Sequence, residues 1–103
     1  MEMDNFSFSP SQFTVPAGTE ITVNVTNQGS VVHDFIIMKP NIRVGTEFGD
    51  DDIPNIYWKV EMQPGASQTF GFTSPEQVGE YEILCGIPGH VQAGMVGTMT
   101  VVK

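Results

Sequence analysis

Short runs in which apolar and polar residues alternate are the feature that most constrains the fold of this chain. The alternation is clear in residues 21–26, 80–85 and 98–102. A period of two places apolar side chains on one face of a β-strand, whereas an amphipathic helix needs a period near 3.6. Turn-forming residues rich in Pro, Gly, Asn and Ser separate the runs at 16–18, 27–30, 64–65 and 74–75. The sequence therefore predicts an all-β, antiparallel sandwich.

One segment departs from this pattern. Residues 40–58 contain Gly45, Gly49, the acidic run Asp50, Asp51 and Asp52, and Pro54. We interpret 40–58 as a long surface excursion that holds at most one short helix. With 103 residues and no internal repeat, the chain is expected to form a single domain over 1–103.

The charge balance excludes several kinds of partner. The chain has 4 Lys and Arg against 12 Asp and Glu, a formal net charge of −8. Binding to nucleic acid or to an anionic membrane surface requires clustered cations, which this chain lacks. A field of this sign favours partners with a basic face.

Membrane segments and leaders are not expected in this chain. Residues 83–102 carry no Asp, Glu, Lys or Arg, but they contain four glycines, a proline and a histidine, a poor composition for a membrane helix. The first four residues are acidic where a signal peptide would be basic. The sequence is therefore that of a cytoplasmic protein or of one whose leader or anchor is absent from this chain.

The residues that can carry chemistry lie mostly in one loop. The chain has one cysteine, so an internal disulfide and a Cys-x-x-Cys redox pair are excluded. Cys85 is followed at spacings of five by His90 and Met95, and His33 is the remaining histidine. Thiolate, imidazole and thioether donors suit copper, and two His, one Cys and one Met make up a blue copper site. Cys85 could also be a catalytic nucleophile with His90 as its base, but the sequence offers no residue that would orient this histidine.

The chain resembles the cupredoxins, the small blue copper proteins, over nearly its whole length. The matching segments are 8–10, 15–19, 33–35, 64–65, 79–81 and 85–102. The ligand loop is most similar to that of rusticyanins and sulfocyanins, and the size is similar to that of plastocyanins. The resemblance implies a Greek-key sandwich with one type 1 copper held by His33, Cys85, His90 and Met95. It implies outer-sphere electron transfer without catalysis, and a tyrosine corner at Tyr81.

The resemblance also suggests roles for residues around the ligands. Asp34 stands where the family often has Asn. Together with Gly86 and Pro88, it is expected to lie next to the ligands and to hold the ligand loop in place. An apolar rim around His90 is expected to form the electron port, and the acidic run Asp50–Asp52 is a possible docking patch. The rim residues are Ile87, Pro88, Val91 and Ala93.

Two other functions stay open on the sequence alone. One is a copper chaperone or storage protein on the same fold. The other is a cupredoxin domain cut from a membrane-bound electron-transfer complex. In the leading interpretation the protein is a monomer on the outer side of a membrane or in the periplasm. Its partners are then redox proteins, such as a cytochrome or an oxidase with a basic docking face.

Overall fold

A computed structural model describes residues 1–4, 7–45, 48–87, 89–91 and 93–103. In these residues nine strands and one 3₁₀ helix are present. The strands are β1 (Glu2–Asp4), β2 (Ser7–Ser9), β3 (Gln12–Pro16), β4 (Glu20–Asn27), β5 (His33–Met38), β6 (Ile56–Met62), β7 (Ser67–Thr73), β8 (Gly79–Leu84) and β9 (Val96–Val102). The 3₁₀ helix spans Asp50–Asn55.

The strands form two sheets, with orders β2-β1-β4-β7 and β3-β9-β8-β5-β6. The predicted all-β sandwich is thereby confirmed. Two pairs, β1 with β4 and β3 with β9, are parallel, so the sheets are mixed and not purely antiparallel as expected. Alternation predicts which face of a strand is buried, but it carries no information on the neighbouring strand or its direction. Because β2 and β3 lie in different sheets, the chain crosses between them and β3 enters beside β9 in the same direction.

The inner faces of the two sheets meet in one hydrophobic core. Phe35 of the second sheet lies at its centre, with ring centroids 5.8 Å from those of both Phe8 and Trp58. The Trp58 ring stacks on Phe72 of the first sheet at 4.7 Å. These aromatic contacts join the two sheets directly, and burial of each large ring is a main contribution to the stability of a small domain.

Strand β5 is buried on both faces. Phe35 and Ile37 face the main core, whereas Ile36 and Met38 belong to a second apolar cluster. We call this second group the outer cluster, and its buried members are Ile36, Met38, Val44, Leu84 and Val91.

The predicted surface excursion supplies part of the outer cluster. We call residues 39–45 with Phe48 and Gly49 the outer loop. It follows β5 and precedes the 3₁₀ helix. The excursion ends at 55, earlier than the predicted 58, because Ile56, Tyr57 and Trp58 already belong to β6, in which Ile56 and Trp58 pair with β5 and Tyr57 lies at a bulge between them. The β-branched and aromatic character of these three residues suits a strand.

Three strand ends meet at one end of the sandwich. His33 begins β5, Leu84 ends the adjacent strand β8, and Val96 begins β9 beside it. The segment 85–95, which joins β8 to β9, therefore lies next to the start of β5. No helix in the described part of the chain is long and apolar enough to span a bilayer.

Candidate metal centre

His33 is placed by a hydrogen-bonded turn that precedes it. The Asn27 side chain is fully buried, and its Nδ2 donates to the carbonyl oxygens of Val31 and Met62, both at 3.0 Å. Its Oδ1 accepts the backbone N–H of Gly29 at 2.9 Å. One side chain thus ties the end of β4, the following turn and the end of β6 together. The first residue of β5 enters the site from a fixed direction.

The segment 85–95 folds back on itself through backbone hydrogen bonds. His90 N–H donates to the Ile87 carbonyl, and Met95 N–H donates to the His90 carbonyl, both at 3.0 Å. Cys85 N–H donates to the Met95 carbonyl at 3.3 Å, which closes the loop. Gly94 has φ of +103°, a conformation that residues with a side chain rarely adopt. This loop thus folds three candidate ligands, which are spaced five residues apart along the chain, toward one end of the sandwich.

The two histidines and the cysteine converge in a buried triangle. His33 Nδ1 and His90 Nδ1 are 3.2 Å apart. Cys85 Sγ lies 3.3 Å from His90 Nδ1 and 3.8 Å from His33 Nδ1. The exposed fractions of His33, Cys85 and His90 are 0%, 0% and 8%. Among the described residues, this cluster is the one whose ligand atoms all lie within 4.8 Å of one another.

The triangle fits one metal ion. A point in its plane lies about 2 Å from all three ligand atoms, close to the length of a bond from a first-row metal to nitrogen or sulfur. His33 Nε2, on the far side of the ring, is buried without a hydrogen-bond partner among the described residues. Met95 is fully buried in the same core cluster as Cys85. Two imidazoles, one thiolate and a thioether form the donor set of a type 1 copper site, and these four residues are arranged as one.

Burial disfavours charge on the ligands themselves. Desolvation raises the pKa of the Cys85 thiol above its usual range, although backbone N–H groups, including that of Asp34 at 3.3 Å from Sγ, partly oppose this shift. Desolvation, and then the neighbouring His90, lowers the pKa of His33. A neutral imidazole is the form that binds a metal, and the cation's own charge favours a thiolate.

Asp34 directly follows His33, and its carboxylate lies next to Gly86 at the start of the ligand loop. Its side chain is nearly buried, and desolvation raises the pKa of its carboxyl group, opposed first by Lys59. Lys59 Nζ is 3.9 Å from Asp34 Oδ2, and the Gly86 backbone N–H also bonds this carboxylate. A Cβ on Gly86 would lie 3.2 Å from Asp34 Oδ2 and 2.9 Å from Ile36 Cδ1. Glycine at this position therefore lets the chain after Cys85 approach β5 closely.

The residues predicted to form an apolar rim do not all face the solvent. Ala93 is exposed and Ile87 is half-buried. Val91 is only 7% exposed and belongs to the outer cluster, so the prediction that it lies on the rim was wrong. A loop built of turns has no period from which the direction of a side chain can be predicted. Pro88, predicted both for the rim and for the support of the ligands, lies outside the described residues.

The acidic run lies in the 3₁₀ helix and not among the ligands. Asp50 and Asp51 are exposed. Asp52 is half-buried, and its Oδ2 accepts the Gly49 backbone N–H at 2.9 Å. Asp52 thus stabilises the start of its own helix, which leaves two of the three carboxylates to face the solvent.

Lys59 and Asn27 were not identified from the sequence as parts of the site. The sequence contains a feature that could have drawn attention to Lys59, because it is one of only four basic residues and lies within a strand-forming run. In the sequence, Asn27 indicates only a turn. Its long-range bond to Met62 follows from the tertiary fold, which no local pattern records.

Comparisons with known proteins identify a family and solved structures with the same fold. A family model described as "Cupredoxin-like domain" matches residues 1–101. Auracyanin-B of Chloroflexus aurantiacus is 27% identical over 95% of this chain, which spans 48%, about half, of that relative's length. Plastocyanin A/B of Petroselinum crispum is 33% identical over 91% of this chain and 86% of its own. The crystal structure of dithionite-reduced auracyanin from Roseiflexus castenholzii has a TM-score of 0.77 and 30% identity, covering 99% and 95% of the two chains.

Proposed function

This chain belongs to the cupredoxin-like family, and we propose that it is a mononuclear blue copper protein that carries single electrons between redox partners. The observation that carries this proposal is the buried triangle of His33, Cys85 and His90, with edges of 3.2 to 3.8 Å. When bound, copper supplies a Cu(II)/Cu(I) couple that accepts and releases one electron. No bond in a substrate needs to form or break, so we infer no enzymatic activity.

We assign the ligand roles from donor chemistry and position. Nδ1 of His33, Nδ1 of His90 and Sγ of Cys85 form the strong trigonal set, and the Met95 thioether is the weak axial ligand. The Asp34 N–H donates to Cys85 Sγ, and the Cys85 N–H donates to Met95 O. These bonds, made by backbone atoms of ordered strands and turns, hold the donors in nearly fixed positions. A site that rearranges little between oxidation states favours fast electron exchange.

We propose that electrons pass through the edge of His90. His90 is 8% exposed whereas His33 and Cys85 have no exposed surface, so it is the ligand nearest to solvent. Ile87 and exposed Ala93 flank it, and an apolar rim of these residues with Pro88 would let a partner approach without the cost of desolvating charges. Val91 is left out of this port because it packs in the outer cluster.

A buried site supports an electron carrier over a copper chaperone or storage protein. A chaperone must release its metal readily to an acceptor, which requires ligands that solvent or the acceptor can reach. Three of the four donors here, those of His33, Cys85 and Met95, have no exposed surface. The retention of copper is the property that separates the two functions.

We infer the kind of partner, the location and the domain organisation from the net charge of the chain and from its relatives. The acidic surface supports redox partners with a basic docking face, and Asp50 and Asp51 are the candidate patch. We propose that residues 1–103 form one cupredoxin domain, monomeric and outside the cytoplasm. The chain spans only about half of auracyanin-B. We therefore propose that this domain works either alone or as part of a larger electron-transfer protein.

The proposal is tested by titrating the metal-free protein with Cu(II) and recording its visible spectrum. We expect an intense thiolate-to-copper band that saturates at one copper per chain and is bleached by ascorbate. Cys85→Ser should abolish the band, since Cys85 is the only cysteine. An intense band that survives this substitution, or wild-type protein without one, would refute the assignment.

The axial role of Met95 has a matched control within the chain. Met99 is as fully buried as Met95, but it lies inside β9 and pairs with Phe13 and Tyr81. Met95→Leu should keep the band and raise the reduction potential, because loss of the thioether disfavours Cu(II). Met99→Leu should leave the potential unchanged. Equal shifts in both variants would mean that Met95 acts only through packing.

A further inference from the structure

The outer cluster connects the ligand loop to a segment that takes no part in metal binding. Its members Ile36 and Leu84 come from the outer faces of β5 and β8. Val44 of the outer loop and Val91, which directly follows His90, are buried members of the same cluster. The exposed fraction of Val44 is the same as that of Val91, 7%. The residue after one metal ligand therefore packs in a small core that the outer loop helps to close.

The outer loop also reaches the residue that follows Cys85. A Cβ on Gly86 would lie 3.2 Å from Cδ1 of Phe48. Phe48 itself is half-buried and packs against the outer cluster. The outer loop thus contacts or shares a cluster with the residues after two ligands, Gly86 after Cys85 and Val91 after His90.

A long-range hydrogen bond from the middle of the outer loop anchors it to strand β8. The Val44 backbone N–H donates to Glu82 Oε1 at 2.7 Å, in a partly buried position. Such a bond to a carboxylate is short and stronger than a neutral one. Arg43 makes an ion pair with Glu80 at 3.9 Å, but both side chains are more than half exposed, so this pair contributes little.

We propose that Glu82 is a positioning residue for the metal site, acting through the outer loop. By holding Val44 against Leu84, it keeps the outer cluster closed beneath Val91 and Gly86 and so fixes the ligand loop around His90 and Cys85. The inference rests on the proposed function, since the loop is a ligand loop only if copper binds there. Glu82 itself does not touch the ligand atoms.

The test compares three variants of the full chain loaded with Cu(II). Glu82→Ala removes the acceptor, and Glu82→Gln keeps an oxygen that can accept the Val44 N–H. Glu80→Ala is the matched control, because it removes the same charge from the same face of β8. The measurements are the ratio of the thiolate-to-copper band intensities and the rate at which excess EDTA removes copper, followed by loss of those bands.

Glu82→Ala is expected to change the band ratio and to release copper about tenfold faster, in the range found for residues that orient metal ligands. Glu82→Gln and Glu80→Ala should stay within about twofold of the wild-type rate, since the first retains the bond and the second loses only an exposed ion pair.

Two results would overturn the inference while leaving the proposed function standing. One is equal behaviour of Glu82→Ala and Glu80→Ala. The other is a Glu82→Gln variant as fast as Glu82→Ala, which would show that charge and not the hydrogen bond matters. A wild-type protein with no thiolate–copper band would instead overturn the proposed function, and with it this inference.

Discussion

The buried hydroxyl group of Tyr81 contributes to the stability of the folded chain. The side chain has no exposed surface, and its hydroxyl donates to the Gln77 carbonyl at 2.6 Å, four residues earlier. This bond ties the start of β8 to the turn before it, the geometry of a tyrosine corner. Burial raises the pKa of Tyr81 above its usual value near 10, and Tyr57 adds to the shift. The folded state therefore favours the neutral phenol.

Tyr81→Phe is expected to lower the free energy of unfolding by about 1 kcal/mol at neutral pH, because one hydrogen bond is lost. The contribution of Tyr81 is present below the pKa of the unfolded phenol and is lost as the pH rises through the higher pKa of the folded one. Denaturant unfolding from pH 7 to about pH 11 should thus show a smaller alkaline decline in the variant than in the wild type. Tyr57→Phe, which removes a hydroxyl from a 37% exposed residue, should retain most of the decline. Equal declines in wild type and Tyr81→Phe would contradict the argument.

For single residues, the sequence predicts which residues are candidate metal ligands better than it predicts the direction in which a side chain points. His33, Cys85 and His90 could be named because the chain has only one cysteine and two histidines, and their donor atoms suit copper. The inward turn of Val91 and the approach of Lys59 to Asp34 could not be predicted. Both depend on a loop and on strand neighbours, where no local period applies.

The parallel pair of β3 and β9 is the element that the alternation pattern did not predict, and it contains a tight contact. Gly97 lies near the start of β9, where a Cβ would overlap the carbonyl oxygen of Ser11 and lie 3.0 Å from Ile83 Cδ1. The carbonyl belongs to the backbone and cannot rotate away. Glycine is required here by lack of space, so β9 approaches the preceding end of β3 more closely than any other residue would allow.

Gly97→Ala is expected to destabilise the protein by roughly 2–3 kcal/mol, because the backbone of one strand must shift. Gly71→Ala is the control within a strand, since the nearest atom to its added Cβ, the Ile21 carbonyl oxygen, is 3.9 Å away. That variant should change stability by less than about 1 kcal/mol. Urea unfolding monitored by Trp58 fluorescence measures both, and a Gly97→Ala midpoint as high as that of Gly71→Ala would refute the close approach.

Among the strands, the alternating sequence runs correctly predicted those that have one buried and one exposed face. Residues 21–26 and 80–84 fall in β4 and β8 as expected. The burial of both faces of β5 was not predicted, although its sequence after Asp34 is a continuous apolar run, the pattern of a strand covered on two sides. The cover comes from the outer loop, whose irregular sequence gave no sign of packing there.

The charge of the whole molecule should govern how fast it meets small redox reagents. The net charge is −8, and two of the four basic residues, Arg43 and Lys59, lie within 3.9 Å of carboxylates. The remaining field is strongly negative. Oppositely charged reagents are attracted over a Debye length of about 30 Å at 10 mM ionic strength, which falls to about 8 Å at 150 mM.

The rate of reduction by a cationic ruthenium ammine complex should therefore fall roughly tenfold between these two ionic strengths, whereas the rate with ferrocyanide, an anion, should rise. Stopped-flow absorbance of the copper-loaded protein measures both. A combined Asp50→Asn and Asp51→Asn variant should flatten the two slopes if these carboxylates face the approach path. Slopes of equal sign for the two reagents would contradict steering by the net charge.

The place of β9 in the second sheet has a consequence for biosynthesis. It lies between β3 and β8, so a strand made early, residues 12–16, waits for residues 96–102 before it gains its partner. While the ribosome adds the intervening residues, β3 and β8 each present an open edge to other nascent chains. Cys85, His90 and Met95 also emerge before the strand that closes the sheet beside them. Association of incomplete chains and premature capture of metal are thus both hazards until β9 leaves the exit tunnel and pairs with β3 and β8.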